Sequence, residues 1–291
     1  MTDSQIQTAL LLLMLIGFAG MEFLTRRYQN TVHATANDTK LELFMFLSLL
    51  AITQPLAMLV TAHLGAWLAP SYQGALADWP WWAMVGLLLV LDDMTQYWWH
   101  RASHTSFLWP LHRAHHSAEY MSIRVTFRNN FFYYLMMPGL WFAGVLLFLG
   151  LDGLTYALYG VVKLTVIVGA HCAWRWDEPL LRRPALRPLM WVLERTISTP
   201  ATHWAHHAIT NQDGVGHYKG NFGNLLFVWD ILFGSAKITR QYPPQVGLID
   251  DQLFGQEQWQ HQMFYPLLQS GREHSALRFG GKIYDEQEQV N

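Results

Sequence analysis

The chain changes from apolar to histidine-rich within DMTQYWWHRASHTSFLWPLHRAHHS, residues 93–117. The residues before it, from 81 onward, are mostly apolar, and with its first part they reach the roughly 20 residues that a membrane-spanning helix needs. His100 and His104 are four residues apart, and residues with that spacing lie on one face of a helix. We therefore expect a spanning helix over 81–99 whose end presents imidazoles at a membrane surface.

The composition indicates a membrane protein rather than a soluble one. Of the 291 residues, 52% are hydrophobic and only 14% are charged, whereas an ordinary soluble domain has about 25% charged residues. The formal net charge of -2 provides no basic field for nucleic acid. A single cysteine excludes a disulfide framework, a cysteine-ligated zinc module and a cysteine-held iron–sulfur cluster.

Five apolar runs are candidates for membrane spans. They are residues 8–24, 43–68, 81–99, 131–151 and 154–173. The first run is too long, and its flank 1–7 too poor in Lys and Arg, to be a cleaved signal peptide. With the N-terminus outside, the outer segments 69–80 and 152–153 also contain no Lys or Arg, so the positive-inside rule places the basic loops in the cytoplasm.

The predicted fold class is all-α, with multi-pass transmembrane helices and a cytoplasmic helical cap. We expect N-terminal transmembrane helices in 1–80, a catalytic domain of further spans and histidine clusters in 81–240, and a C-terminal cytoplasmic segment in 241–291. From residue 174 onward no further 20-residue apolar run occurs, so the short helices of the cap should lie against the membrane.

Nine of the 14 histidines fall on the cytoplasmic side of this topology, at about one depth. They are His100, His104, His112, His115, His116, His171, His203, His206 and His207. In HRAHH (112–116) and HWAHH (203–207) the spacing is i, i+3 and i+4, so each motif presents its rings on one helical face. Thr199 and Pro200 suit the N-cap and the first position of the second helix.

Metal coordination explains this clustering better than ordinary core or surface placement. A lone histidine is usually a satisfied polar group or a surface residue, and the other five histidines receive that interpretation. Burying nine neutral imidazoles near apolar surface is costly without partners, which metal ions supply. Because a structural zinc takes four ligands, nine histidines predict two ions, and the spacing leaves Zn, Cu, Fe and Ni open.

The motifs resemble those of the fatty acid hydroxylase/sterol desaturase superfamily, which comprises integral membrane di-iron oxygenases. The resemblance runs from Asp93 to Gly234 and also includes His171, TPATHWAHH (199–207) and NFGNLLFVWDILFG (221–234). It implies a non-haem centre of two iron ions that uses O2 to attack an unactivated C–H bond of a lipid. It also implies that the eight histidines of the three motifs are ligands, and that His171 is an additional ligand.

This chain departs from the family pattern in two respects. Many relatives carry an arginine followed by a His-Pro pair, whereas this chain has Arg128, Asn129 and Asn130 without that histidine, so we expect this stretch to shape substrate choice differently. The chain also shows no fused cytochrome b5 domain and no flavin or NAD(P) motif. Electrons are therefore expected from a separate ferredoxin- or cytochrome-type donor with its reductase.

Three carboxylates are predicted to support the ligands, because ionisable residues in or near a span are candidates for function. Asp93 lies seven residues, about two turns, before His100, so we expect it to accept a hydrogen bond from a ligand imidazole. Glu119 and Asp230 are similar candidates. Lys163, the one basic residue inside a predicted span, should pair with an acid, line a lipid cavity or snorkel.

The sequence therefore predicts an O2-dependent lipid hydroxylase, on a fatty acyl chain, a sterol or a related lipid. A lipid desaturase of the same superfamily is the nearest alternative. The others are a zinc metallohydrolase, although HExxH is absent, a bis-His haem electron carrier, and a metal transporter. We expect the chain in a bacterial inner membrane with the metal site cytoplasmic, or in the endoplasmic reticulum if the source is eukaryotic.

Overall fold

The computed structural model describes residues 3–27 and 34–281, and helices are its regular secondary structure, as predicted. Within these residues there is no β-strand, and only two isolated bridges join extended segments. The α-helices are α1 (Asp3–Leu24), α2 (Ala36–Ser48), α3 (Gln54–Leu68), α4 (Trp81–Leu88), α5 (Thr95–Ser103), α6 (Trp109–His116), α7 (Phe131–Leu135), α8 (Pro138–Phe148), α9 (Gly153–His171), α10 (Glu178–Leu181), α11 (Arg187–Thr196), α12 (Pro200–His206), α13 (Val228–Phe233), α14 (Ile249–Phe254) and α15 (Trp259–Phe264). The last ten residues of the predicted C-terminal segment lie outside the described part.

Four helices of the described chain are long and apolar enough to cross a membrane. They are Gln5–Leu24, Ala36–Leu68, Phe131–Phe148 and Gly153–His171, and they match four of the five predicted spans. The remaining prediction, 81–99, is helical from α4 through α5. It is not one of the four, because Asp92, Asp93 and the polar residues that follow them lower the mean hydropathy of this helix.

Two of the long helices contain a π-helical segment, in which the turn is locally wider. Leu49–Thr53 joins α2 to α3 just ahead of Pro55. A proline ring clashes with the carbonyl four residues earlier, and the wider turn relieves that clash. Leu89–Met94 joins α4 to α5 and contains Asp92 and Asp93. Such insertions often mark functional positions, and here the insertion carries two carboxylates within the helix bundle.

Asp92 forms an ion pair with Lys163 of α9, whose Nζ lies 2.5 Å from Asp92 Oδ2. Helix α8 passes the same carboxylate at Gly139, where a Cβ atom would lie 2.3 Å from Asp92 Oδ1. A side chain at position 139 would force this carboxylate to move. The lysine therefore pairs with an acid, the first of its expected roles, and the pair joins the helix of 81–103 to α9.

The C-terminal end of α1 is fixed by Glu22, which is fully buried. Its carboxylate accepts hydrogen bonds from Ser122 Oγ at 2.9 Å and from the N–H groups of Ile123 at 2.9 Å and Ala173 at 2.8 Å. Because α1 also packs along α9, this spanning helix is tied to the segments that carry the histidines.

The C-terminal part of the described chain is attached to α6 by a cluster of charges, here called the C-terminal clasp. Arg113 of α6 is fully buried and donates to Asp250 at 2.7 Å and to Asp251 at 2.6 Å. Arg272 donates to the same two carboxylates at 2.8 and 2.9 Å. Helix α15 packs against both α2 and α6, so apolar contacts reinforce the clasp.

Candidate metal centre

The nine predicted histidines lie close together, and several of them are at the ends of their helices. His171 is the last residue of α9, and His104 caps the C-terminus of α5. Helix α12 begins as predicted, with Pro200 in its first turn. Thr199 is the N-cap, its side chain accepts from the N–H of Thr202, and the side chain of Thr202 accepts in return from Thr199 N–H. The caps thereby fix the direction in which each histidine motif points.

The nine imidazoles divide into two groups, in each of which one nitrogen per residue lies within 4.8 Å of all the others. The five-histidine group consists of His100, His104, His112, His116 and His206. The four-histidine group consists of His115, His171, His203 and His207. The groups adjoin, since the rings of His116 and His207 are stacked with centroids 4.4 Å apart. The structure thus brings every predicted ligand residue together.

Hydrogen bonds define the tautomers in the five-histidine group. His100 Nδ1 lies 2.7 Å from the carbonyl oxygen of Phe222, and His206 Nδ1 lies 2.7 Å from that of Gly220. A carbonyl oxygen only accepts, so both Nδ1 atoms carry hydrogen and, in a neutral ring, both Nε2 atoms are bare. These two Nε2 atoms face each other at 3.0 Å. Two lone pairs at that distance repel unless a cation lies beside them.

The four-histidine group repeats this arrangement. His171 Nδ1 donates to the carbonyl of Ile167 at 2.7 Å, and His115 Nδ1 donates to that of Arg128 at 3.0 Å. Their Nε2 atoms are 3.2 Å apart, and His203 Nε2 lies 2.9 Å from His171 Nε2. His171 therefore joins this group as closely as the histidines of the HRAHH and HWAHH motifs do.

Burial keeps these rings neutral. Desolvation lowers the pKa of His100 to about 4 and lowers the pKa values of His112 and His206 well below the ordinary range. In the five-histidine group the buried Nε2 atoms of His104, His112 and His116 have no hydrogen-bond partner among the described residues. Each unsatisfied buried polar atom costs about 1–3 kcal/mol, so bound metal would relieve a substantial penalty.

The donor set consists of imidazole nitrogen alone, because neither group of described residues includes a carboxylate or a thiolate. Neutral imidazole suits Fe, Zn, Cu and Ni, whereas hard cations such as Mg²⁺ and Ca²⁺ prefer oxygen. The residues present therefore fit a pair of transition-metal ions.

Within the described residues, no hydrogen bond joins any of the three predicted supporting carboxylates to a histidine side chain. Asp93 accepts from the N–H groups of Leu225 at 3.3 Å and Leu226 at 3.2 Å and from Trp229 Nε1 at 2.8 Å, so the expected bond to an imidazole is not found. Among the hydrogen bonds of the described chain, none joins Glu119 to a histidine.

Asp230 supports a ligand through the backbone. It is fully buried, and its carboxylate accepts from the N–H groups of Phe222 at 2.8 Å and Gly223 at 2.6 Å. The carbonyl of the same Phe222 holds His100. Asn221, at the centre of this loop, has a φ of 54° and donates through its side chain to the carbonyl of Thr202 at 2.9 Å. Asp230 and Asn221 therefore fix the loop of residues 220–223, whose carbonyls at Gly220 and Phe222 accept hydrogen bonds from His206 and His100.

Sequence reasoning missed the groups that orient the rings, because most of them are backbone carbonyls. The exception is Asn129, whose Oδ1 lies 3.2 Å from His112 Nδ1. The neighbouring Arg128 is fully buried, pairs with Asp38 of α2 at 2.5 Å and donates to Ser117 Oγ at 2.7 Å. The stretch singled out for its departure from the family thus supports two histidines.

Comparison with known proteins agrees with this geometry. A family model described as fatty acid hydroxylase matches residues 85–235, just over half of the chain. Alkylglycerol monooxygenase from Danio rerio is 28% identical over 161 residues, which cover 54% of this chain and 30% of that relative. This chain thus matches less than a third of the length of the relative. No solved structure matches it significantly.

Proposed function

The chain belongs to the fatty acid hydroxylase family, and from this premise we propose that it is a membrane-bound non-haem di-iron oxygenase. As an oxidoreductase it would use O2 and external electrons to hydroxylate a C–H bond of a lipid. One observation carries the proposal: two pairs of buried imidazoles face each other through bare Nε2 atoms, at 3.0 and 3.2 Å. Neutral rings hold that arrangement only around cations.

We assign one ion to the five-histidine group and the second ion to the four-histidine group. The complete ligand set is then His100, His104, His112, His116 and His206 for the first ion and His115, His171, His203 and His207 for the second. When bound, the two irons supply the redox chemistry that activates O2. The electrons come from a separate donor of ferredoxin or cytochrome type.

The contribution of the protein is to orient the rings and to keep water away from them. Carbonyl acceptors hold Nδ1 of His100, His206, His115 and His171, so the Nε2 atoms are aimed before any ion arrives. All but one of the nine residues are buried, which keeps the centre poor in water. A lipid that enters between the spanning helices then needs only one carbon to reach the centre.

Asp230 and Asp93 act as positioning residues in this proposal. Asp230 fixes the loop whose carbonyls hold His100 and His206, and Asp93 fixes the next turn of the same segment. The peptide group between Phe222 and Gly223 links a carboxylate to an imidazole, because its N–H donates to Asp230 and its carbonyl accepts from His100. In other metal sites a carboxylate contacts a metal-bound histidine directly. Glu119 has no comparable link in the described chain.

Hydroxylation is favoured over desaturation because the curated relative is named as a monooxygenase. The same name favours a lipid with a glycerol-linked alkyl chain within the broader class of fatty acyl, sterol and related lipids. We further propose that 81–240 is the catalytic domain, flanked by the helices of 1–80 and the segment 241–291. The metal centre would face the cytoplasm from a bacterial inner membrane, or from the endoplasmic reticulum.

Metal analysis of the purified protein, combined with lipid product analysis, tests the proposal. We expect about two irons per chain without a haem absorption band, and an oxygenated lipid that incorporates oxygen from labelled O2. His203→Ala should abolish product. His63→Ala is the matched control, because His63 is exposed on α3 and its Nδ1 contacts only the carbonyl of Leu59. Product formation by an iron-free preparation, or by His203→Ala, would overturn the assignment.

A further inference from the structure

Helix α11 exposes several large apolar side chains and buries its one carboxylate. Its side chains of Leu189, Trp191 and Val192 are about half exposed, with Trp191 at 54%. Its carboxylate, Glu194, is buried and paired with Arg240 at 2.6 Å. A helix in water normally buries its apolar stripe and exposes its charges. The apolar face of α11 therefore requires an apolar or amphipathic environment.

The neighbouring helix α13 extends the same kind of surface. Ile231 and Leu232 are exposed there, Leu232 at 64%. The two helices are connected where the N–H of Phe227 donates to the carbonyl of Thr196 at 2.9 Å. A monomeric soluble protein rarely exposes this many large apolar side chains on adjoining elements.

Arginines surround this surface. Arg182 and Arg183 are exposed on the segment that leads into α11, and Arg187 is exposed as the first residue of that helix. The guanidinium of Arg195 lies 4.6 Å from the ring centroid of Trp191. Tryptophan together with arginine, beside exposed aliphatic side chains, is the composition of helices that lie in the headgroup layer of a membrane.

The position of α11 relative to the spanning helices is fixed by a salt bridge. Arg27, three residues beyond the end of α1, pairs with Glu178 of α10 at 3.1 Å. Helix α10 in turn packs against α11. Because α1 is long and apolar enough to cross a membrane, its end lies at a bilayer surface, and the surface of α11 continues from there.

We propose that α11 and α13 form an interfacial face, comprising Leu189, Trp191, Val192, Ile231 and Leu232, that rests in the headgroup layer of the bilayer. The partner is a phospholipid surface, whose phosphates pair with the surrounding arginines. Pro200, the first residue of α12, follows the end of α11 after three residues, so this contact also sets the depth of the HWAHH histidines.

Spin labelling in lipid nanodiscs tests the proposal without reference to metal or activity. The single native cysteine, Cys172, is buried, so introduced cysteines can be labelled selectively. Val192→Cys and Leu232→Cys place nitroxides on the interfacial face. Gln212→Cys is the matched control, because Gln212 is exposed in a loop outside this face. Collision with lipid-soluble O2 and with a water-soluble nickel complex is measured for each label in nanodiscs of phosphatidylcholine and phosphatidylglycerol.

We expect the labels at 192 and 232 to collide severalfold more with O2 than with the nickel complex, and the label at 212 to show the reverse. Equal nickel accessibility at all three positions would overturn the proposal, because the face would then lie in water. Shielding of 192 and 232 from both reagents, with spin–spin coupling between chains, would also overturn it, because a second copy would then cover the face.

Discussion

A neutral histidine has one lone pair, and the hydrogen bond at its other nitrogen decides where that lone pair points. In this chain the carbonyls of Phe222 and Gly220 direct Nε2 of two rings of the five-histidine group inward. The carbonyls of Ile167 and Arg128 do the same in the four-histidine group. The rings of each group are therefore oriented by a separate set of backbone carbonyls, so the two groups can be tested independently by substitution.

Removing one histidine from either group should cause loss of the ion bound by that group, while the other group keeps its ion. We expect His206→Ala to lower the iron content by about one ion per chain through loss from the five-histidine group, and His207→Ala to do the same for the four-histidine group. Inductively coupled plasma mass spectrometry of the purified variants measures this. An unchanged content of two ions in both variants would contradict the division of the ligands.

Asp230→Asn should weaken the five-histidine group although Asp230 touches no imidazole. An amide has one oxygen where the carboxylate has two acceptors, so the N–H of Phe222 or Gly223 loses its partner, at about 1–3 kcal/mol. We expect a lower content of the first ion and an altered iron absorption spectrum. The control is Asp78→Asn, because Asp78 is exposed. A native spectrum in Asp230→Asn would show that the loop needs no carboxylate.

At the scale of helices, the ion pair of Asp92 and Lys163 is the principal polar contact between the helix of 81–103 and α9. Both side chains are largely buried, and the pair lies beside Gly139 of α8. A buried pair contributes little net stability compared with an apolar replacement, but loss of one partner leaves an uncompensated charge. This asymmetry can be measured.

Lys163→Met should destabilise the protein by about 3–5 kcal/mol, because it leaves Asp92 unpaired. The double variant Asp92→Asn with Lys163→Met should recover most of that loss, since no buried charge remains. Unfolding of the detergent-solubilised proteins by a denaturant gives both free energies. If the double variant were as unstable as the single one, charge pairing would not be the function of this contact.

The helices themselves were largely predictable from sequence, because apolar length and capping are local properties. Thr199 and Pro200 start α12 as predicted, and four of the five spans are found. The partners of the imidazoles were not predictable, since a carbonyl has no sequence signal. The loop around Asn221 depends on contacts with residues 16 and 19 positions away, and the carboxylate of Asp93 accepts from N–H groups 132 and 133 positions away.

At the scale of the whole molecule, metal and stability should be linked. Nine imidazoles converge from four separate helices between residues 95 and 207, and without ions their bare nitrogens repel or lack partners among the described residues. A ligand that binds only the folded state stabilises it by about 2.7 kcal/mol at a concentration of 100 Kd. The metal centre is therefore expected to stabilise the assembly of α5, α6, α9 and α12.

Removal of metal with a strong chelator should lower the melting temperature of the purified protein by several degrees, and addition of ferrous iron should restore it. Differential scanning fluorimetry in detergent measures both steps. His63→Ala should show the same shift as the unmodified chain. Identical melting temperatures with and without metal would mean that the imidazole cluster is stable on its own.

The C-terminal clasp also restricts the order of biosynthesis. Arg113 finds its two carboxylates 137 and 138 residues further along the chain, on α14. While the ribosome is still synthesising the intervening residues, this guanidinium lacks the two carboxylates that hold α6 to α14 in the folded chain. We therefore expect the histidine cluster to reach its final arrangement only after residue 250 has been synthesised, and a chain truncated before that residue to bind metal weakly.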